Sequence, residues 1–389
     1  MKPYRLLILT ASTSHEGSVE ALSAWAHEFY GDKVDVKILR PLENGSSLLG
    51  YLSVDIAQKI QRQWPDAHRV FFPLTELMGN LQGKNFIGRG EFENMLHSFH
   101  SQLIVSFHPF LNRGYFKLAK EILGDDVRCV TYCGEFGAGY GLSRHWACCD
   151  ADRWIGRSEQ VIRDAYKGDV PPDKLESFTF LLPPPSKRTH TRRQLRLDDE
   201  KLTILFANGR SGVIDHLPML QTLASFKDEV QAIVVCGLNE RLRRHVQKWQ
   251  GKTGLTMILE GFTHRQADYM KIADVVVSRG DADTATLALS EATPMFFDAH
   301  HGLMMEEELN VKFFEDAGVA QRFHSPSDFA KRIEAILEDP SQLTPLRQTC
   351  AQLKERYQEP STASFMEKFL AWGFFKARIE QLGEQGKVV

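Results

Sequence analysis

Short apolar runs alternate along the chain with longer stretches of helical period, and this rhythm predicts strand followed by helix, repeated, with parallel sheets. In the first half it predicts strands at Arg5 to Thr10, Val34 to Leu39, Arg69 to Pro73, Leu103 to Phe107, Arg128 to Tyr132 and Arg153 to Ile155. Helices are expected at Ser18 to Tyr30, onward to about Trp64, at Gly114 to Leu123 and at Ser158 to Tyr166. Pro183, Pro184 and Pro185 stiffen the exit from this half. The rhythm then restarts, with strands at Leu202 to Ala207, Gln231 to Cys236, Thr256 to Glu260, Asp274 to Ser278 and Pro294 to Phe297. Val275 to Val277 is a β-branched run suited to a strand covered on both faces. The loop Ser278 to Asp283 follows it, with Thr284 as expected N-cap of a helix Ala285 to Ala292.

The expected class is α/β, with two Rossmann-like doubly wound domains facing a cleft: residues 1–182 and 201–360, a linker 183–200, and a C-terminal helix within 361–389. Ser364 to Leu382 carries Phe365, Phe369, Trp372, Phe374 and Phe375, a face richer in aromatics than an isolated surface helix needs; core packing and a membrane role both account for it. A length of 389 residues exceeds what one core supports and agrees with two domains.

Charge and cysteine usage narrow the function classes. With 47 basic and 50 acidic residues there is no general electrostatic case for nucleic acid. Six cysteines without regular spacing read as reduced cytosolic thiols, and no ligand cluster for a metal is visible. No stretch approaches the ~20 apolar residues of a membrane span, so a soluble protein, or one bound peripherally to a membrane surface, is expected. The basic run Lys187, Arg188, His190, Arg192, Arg193 and Arg196 beside the prolines is either a solvated linker or a contact for anionic lipid headgroups.

Several loops carry candidate chemistry at predicted strand ends. His15 lies at a strand-to-helix turn after Leu9, and an imidazole suits proton abstraction near neutrality. His108 is turned to the sheet edge by Pro109, and Glu135 follows the strand ending at Tyr132. In the second half Gly209, Arg210, Ser211 and Gly212 form a Gly-x-x-Gly loop in which the backbone can approach a phosphate and Arg210 can neutralise it. Gly261 permits a bend that lets Phe262 cover a flat ring, and Arg279 with Gly280 follows the buried strand.

Taken together these strings resemble the glycosyltransferases that join a nucleotide-activated sugar to a lipid: the family-28-type monogalactosyldiacylglycerol synthases, the processive diacylglycerol glucosyltransferases and the enzyme that makes lipid II. Gly261, Phe262, Ala273, Asp274, Thr284, Ala288 and Pro294 match the donor-half pattern in register. His15, Ser18, Glu20 and Ala21 match its His-x-x-Ser-x-Glu-Ala turn, and Ser106 to Phe110 is similar to its Ser-Val-His-Pro-Leu string. Trp146 stands at the family's Trp, and Glu307 and Asn310 at its Gly-Gln-Glu and Asn positions. The chain departs from the family at Leu287, where a ribose-binding Glu is usual and Glu291 lies one turn further on. It departs again at Asp281 and Asp283, which replace loop glycines, and at Ser12, Thr13 and Ser14 before His15.

The resemblance implies the GT-B architecture and transfer from a UDP-linked sugar to a lipid or saccharide hydroxyl, without a cofactor or metal. His15 would be the general base, with His108 and Glu135 as further catalytic candidates and Ser14 and Trp146 on the acceptor side. Gly209, Arg210, Ser211, Gly212, Gly261, Phe262, Arg279, Gly280, Thr284, Glu307 and Asn310 would hold the donor. A nucleotide-sugar 2-epimerase, a scaffold with a degenerate donor site and a transferase with a soluble acceptor remain open.

Overall fold

The computed structural model describes residues 3–11, 15–44, 70, 72–74, 76–77, 86–185, 190–207, 209–210, 212 and 215–375. They divide into two compact units, one holding the described residues up to Pro184 together with those from Pro360, the other running from Pro185 to Glu359.

The first unit carries strands β1 (Tyr4–Leu9), β2 (Val34–Leu39), β3 (Leu103–Ser106), β4 (Arg128–Cys133), β5 (Arg153–Gly156) and β6 (Leu175–Ser177). They form one parallel sheet in the order β2-β1-β3-β4-β5-β6. Alternation along β1 sends Leu6 and Ile8 into one core and Leu7 and Leu9 into another, so both faces are covered. The chain turns to one side after β1 and to the other before β3, which makes the carboxyl ends of β1 and β3 a topological switch point.

Helix Thr362–Gly373 completes the core on one face of this sheet. Phe365 stacks on Phe178 at 3.7 Å, and Phe374 packs on Tyr4 and Tyr30 at 5.0 and 5.4 Å. Arg153 covers Trp372 at 4.0 Å. These aromatics are therefore core, at about 2–3 kcal/mol for each buried Phe, while Phe375 stays exposed.

The second unit carries β7 (Leu202–Ala207), β8 (Val230–Val235), β9 (Met257–Glu260), β10 (Val275–Ser278), β11 (Met295–Asp298) and β12 (Ala320–Phe323). Its parallel order is β12-β11-β10-β7-β8-β9, with the switch point between β7 and β10. Among the described residues no helix is long and apolar enough to cross a membrane.

Three expectations need correction. Within the segment expected as strand Arg69 to Pro73, the described residues Val70, Phe72 and Pro73 are helical rather than part of the sheet. Strands β6 and β12 were not expected, because short edge strands such as Leu-Glu-Ser and Ala-Gln-Arg-Phe carry no apolar run. Thr284 does not cap its helix. The helix spans Ala282–Ser290, and Asp281 caps it by accepting from the Thr284 amide at 2.9 Å. In the basic run beside the prolines several side chains are paired, while Arg193 stays 88% exposed. Arg192 donates to Ile272 O at 2.9 Å and to Asp274 at 2.8 Å, Arg193 pairs with Asp199 at 2.9 Å, and His190 lies 3.3 Å from Asp268. Lys187 and Arg188 lie outside the described residues.

Candidate active site

The switch point of the first unit gathers its predicted residues. His15 directly precedes helix Glu16–Tyr30, in the left-handed region at φ 54°, and its carbonyl accepts the Val19 amide at 3.0 Å. That backbone turns the ring over the sheet edge, where Nε2 lies 3.2 Å from Oε1 of Glu135, just beyond β4. Both side chains are withdrawn from solvent, at 7% and 13% exposure, so their interaction is only weakly screened. The Trp146 ring meets His15 edge-on at 5.9 Å. Gly134 underlies the imidazole so closely that any Cβ there would collide with Nδ1, Cε1 and Cγ.

The chemistry of this pair follows from its geometry. With Nε2 turned to Glu135, Nδ1 is the ring atom left to act as a base, and a carboxylate lies where an imidazolium would form. His108 behaves differently. Its Nδ1 accepts the Phe110 amide at 3.3 Å and so shapes the turn Pro109–Leu111. Enclosure of the ring, with His15 nearby, pushes its pKa down to about 3. It is neutral at ordinary pH, with Nδ1 engaged in the turn and Nε2–H left to donate.

Behind these residues lies a network that sequence reasoning missed. Buried Asn112 donates to Pro109 O and His145 O at 3.1 and 3.0 Å and accepts from Thr131 at 3.1 Å, tying the loops after β3 and β4 together. Arg157, fully buried at the end of β5, bonds Ser18 and, at 3.3 Å, the Tyr132 hydroxyl. Ser14 lies outside the described residues, as does Ser211 in the second unit.

In the second unit the turns after β7, β8 and β10 line the carboxyl edge of the sheet. Gly209, at φ 48°, stands open: a Cβ added there would meet no described atom within 4 Å. Gly212 serves packing instead: a Cβ there would strike Cys236 O, and Asn239 donates to the Gly212 carbonyl at 2.7 Å. Arg210 lies 4.6 Å over the Phe262 ring, which also meets His264 at 5.0 Å. Gly261 has negative φ and only ordinary contacts around a Cβ, so the bend there does not depend on glycine.

The turn after β10 is braced from helix Met305–Asp316. Arg279 Nε donates to Glu307 at 2.9 Å, Glu307 also accepts the Met304 amide at 2.7 Å, and Asn310 donates to Gly280 O at 3.3 Å. Gly280, at φ 93°, lets Val311 approach to 2.5 Å of the missing Cβ. Burial pushes the Glu307 carboxyl up while Arg279 and the amide pull it back. Glu307 and Asn310 therefore hold the loop in shape. Thr284 is buried with its amide bonded to Asp281, so this helix tip is already capped by a carboxylate. Glu291 follows the last turn of that helix, beside a cavity of about 500 Å³ lined also by His190, Lys271, Asp274 and Arg347.

A second unpredicted cluster is His216, Asp298, His300 and His301. Burial pushes His216 down to about 4, and it is fully enclosed beside Phe206. Since its ordinary value is 6.5, the unfolded chain binds a proton that the folded chain refuses as pH falls from about 6.5 to about 4. Stability should therefore drop through that window at roughly 1.4 kcal/mol per pH unit from this group, and not above it. Denaturant midpoints measured across the window should show the fall, and His216→Leu should flatten it; an equally steep limb in the variant would assign the loss elsewhere.

Two six-stranded parallel sheets, each with its candidate residues at a switch point, are what known proteins can be compared with. The solved structure of MurG from Acinetobacter baumannii superposes with a TM-score of 0.56 at 16% identity, covering 94% of this chain and 98% of that one. The UGT89C1 structure from Arabidopsis thaliana, complexed with quercetin, gives a TM-score of 0.60 at 12% identity, covering 96% and 100%. The fold is that of the GT-B glycosyltransferases. In sequence, the chain is similar to the processive diacylglycerol beta-glucosyltransferase of Staphylococcus saprophyticus, with 23% identity over 216 residues. That match spans 54% of each protein, so the chain spans about half the length of this curated relative. No family model matches.

Proposed function

We propose that this protein transfers a glycosyl group from a nucleoside diphosphate sugar, UDP-linked, to a hydroxyl of a lipid or saccharide acceptor. The observation that carries the reading is the His15–Glu135 pair at the switch point of the first sheet. Nδ1 of His15 takes the acceptor proton as the hydroxyl oxygen bonds to the anomeric carbon, and Glu135 stabilises the imidazolium that results. The bond from that carbon to the diphosphate breaks with its electron pair on the leaving oxygen. In the second unit, Arg210 and the open Gly209 backbone are the groups suited to a diphosphate's charge, and Phe262 offers a face for a nucleotide base. A lipid acceptor, and with it peripheral contact with an anionic membrane at a cytoplasmic face, is supported by the similarity to a diacylglycerol glucosyltransferase.

Asp281 at the helix tip and Leu287 favour a second reading, a protein of this fold that no longer binds a donor. One experiment separates the two. The full chain is incubated with radiolabelled UDP-sugars and either diacylglycerol vesicles or soluble saccharides, and nucleotide binding is followed in parallel. Labelled product supports transfer; no product and no binding of any nucleotide supports the second reading.

A further inference from the structure

Helix Glu240–Thr253 follows β8 in the second unit, and the transfer mechanism does not use it. Leu242 and Val246 are buried and Trp249 packs on the same core, so spacing of i, i+4 and i+7 seats one side of the helix there. At about 100° per residue, Arg241, His245, Lys248 and Lys252 fall within about 60° of one another on another side, with Arg244 flanking them. All five are exposed, in a row about 16 Å long. The one acid of the helix, Glu240, pairs with Arg243 at 3.0 Å. Arg241, His245, Lys248 and Lys252 make no hydrogen bond or ion pair among the described residues, and Arg244 gives only its Nε, to the Glu240 carbonyl at 3.2 Å.

Helix stability does not account for this row. Arg241 stands in the first turn, where the positive end of the macrodipole disfavours a cation. Arg244 with Lys248, and Lys248 with Lys252, are like charges at i, i+4 spacing, which repel along the helix. Nor does the chain as a whole explain it, since its formal net charge is -3. A planar anionic surface would meet the basic side alone, whereas a polyanion that wraps the molecule would meet its acidic remainder as well.

We propose that this row is the surface by which the second unit docks on an anionic phospholipid membrane. The choice of a lipid plane rests on the lipid-acceptor reading above; the charge pattern stands without it. Lipid phosphates meet the ammonium and guanidinium ends through charge-assisted hydrogen bonds, and each basic side chain raises partitioning by about fivefold at low salt.

The test is flotation of the full chain with phosphatidylcholine vesicles, with and without phosphatidylglycerol, at low and high salt. Flotation should require phosphatidylglycerol, reverse with salt, and fall roughly 10²-fold in partition coefficient when Arg241→Gln, Lys248→Gln and Lys252→Gln are combined. That variant should melt no lower than the unmodified chain, because it relieves repulsion along the helix, and Lys248→Arg with Lys252→Arg should float normally. A control that removes three exposed charges from other helices, Lys117→Gln, Lys331→Gln and Lys368→Gln, should also float normally. Equal loss in the control traces the effect to net charge and overturns the inference, as does flotation with phosphatidylcholine alone or none with phosphatidylglycerol. Retention on double-stranded DNA without flotation overturns it in favour of nucleic acid. Sugar transfer to a soluble saccharide by a chain that ignores both vesicles sinks this inference alone, whereas salt-sensitive flotation without transfer to any acceptor sinks the transferase reading and leaves the docking surface.

Discussion

His15→Asn is expected to lower glycosyl transfer by roughly 10²–10⁴-fold in kcat, the range general-base removal usually costs, with UDP affinity unchanged. Asparagine is the informative replacement because it tolerates the left-handed backbone that His15 adopts at φ 54°, whereas most other residues would add strain to the loss of the base. Gly134→Ala should act in the same direction without touching the imidazole chemically, since the added methyl would occupy the space of Nδ1 and push the ring off Glu135. Steady-state kinetics beside nucleotide titration and melting curves check both. Full turnover in His15→Asn would remove this residue from the mechanism. Loss of nucleotide binding along with turnover would mean the substitution acts through folding.

Glu307→Ala should destabilise the second unit by about 3–5 kcal/mol, the usual cost of leaving a buried charge without its partner. Arg279 and Glu307 are 7% and 11% exposed and 2.9 Å apart, and Glu307 also accepts the Met304 amide, so one truncation unbalances a cation and a helix start together. Glu307→Gln keeps both side-chain positions and should lose less than the alanine variant. Chemical denaturation measures the difference. If alanine and glutamine cost the same, hydrogen bonding at this position is not what holds Arg279. Donor binding should weaken in parallel, because Gly280 and Arg279 belong to the same braced turn.

The sheets were largely legible because their central strands are buried on both faces and therefore read as apolar runs, as in Val275 to Val277. Where burial is one-sided that signal fades, and β6 and β12 escaped for this reason. The apolar stretch at Val70 and Phe72 misled in the opposite sense, since a short run does not distinguish strand from helix. His15 was visible from its place after β1, but its contact with Glu135 was not, because they come from loops 120 residues apart (135 − 15) that only the sheet order brings together. The capping role of Asp281 was hidden by Thr284, another residue type favoured at caps, three residues on. Asp298 and His300 stood in plain view after a predicted strand; what the sequence lacked was the burial that leaves Asp298 Oδ2 and His300 Nε2 without a partner among the described residues.

The helix Thr362–Gly373 stands near the end of the chain yet fills the core laid down by Tyr4, Phe178 and Leu103. During synthesis the amino-terminal half therefore emerges with an aromatic-lined gap, and that gap stays open until the ribosome has delivered the whole intervening half. Nascent chains halted before Ser361 should be held by chaperones or degraded, however well the second half has folded.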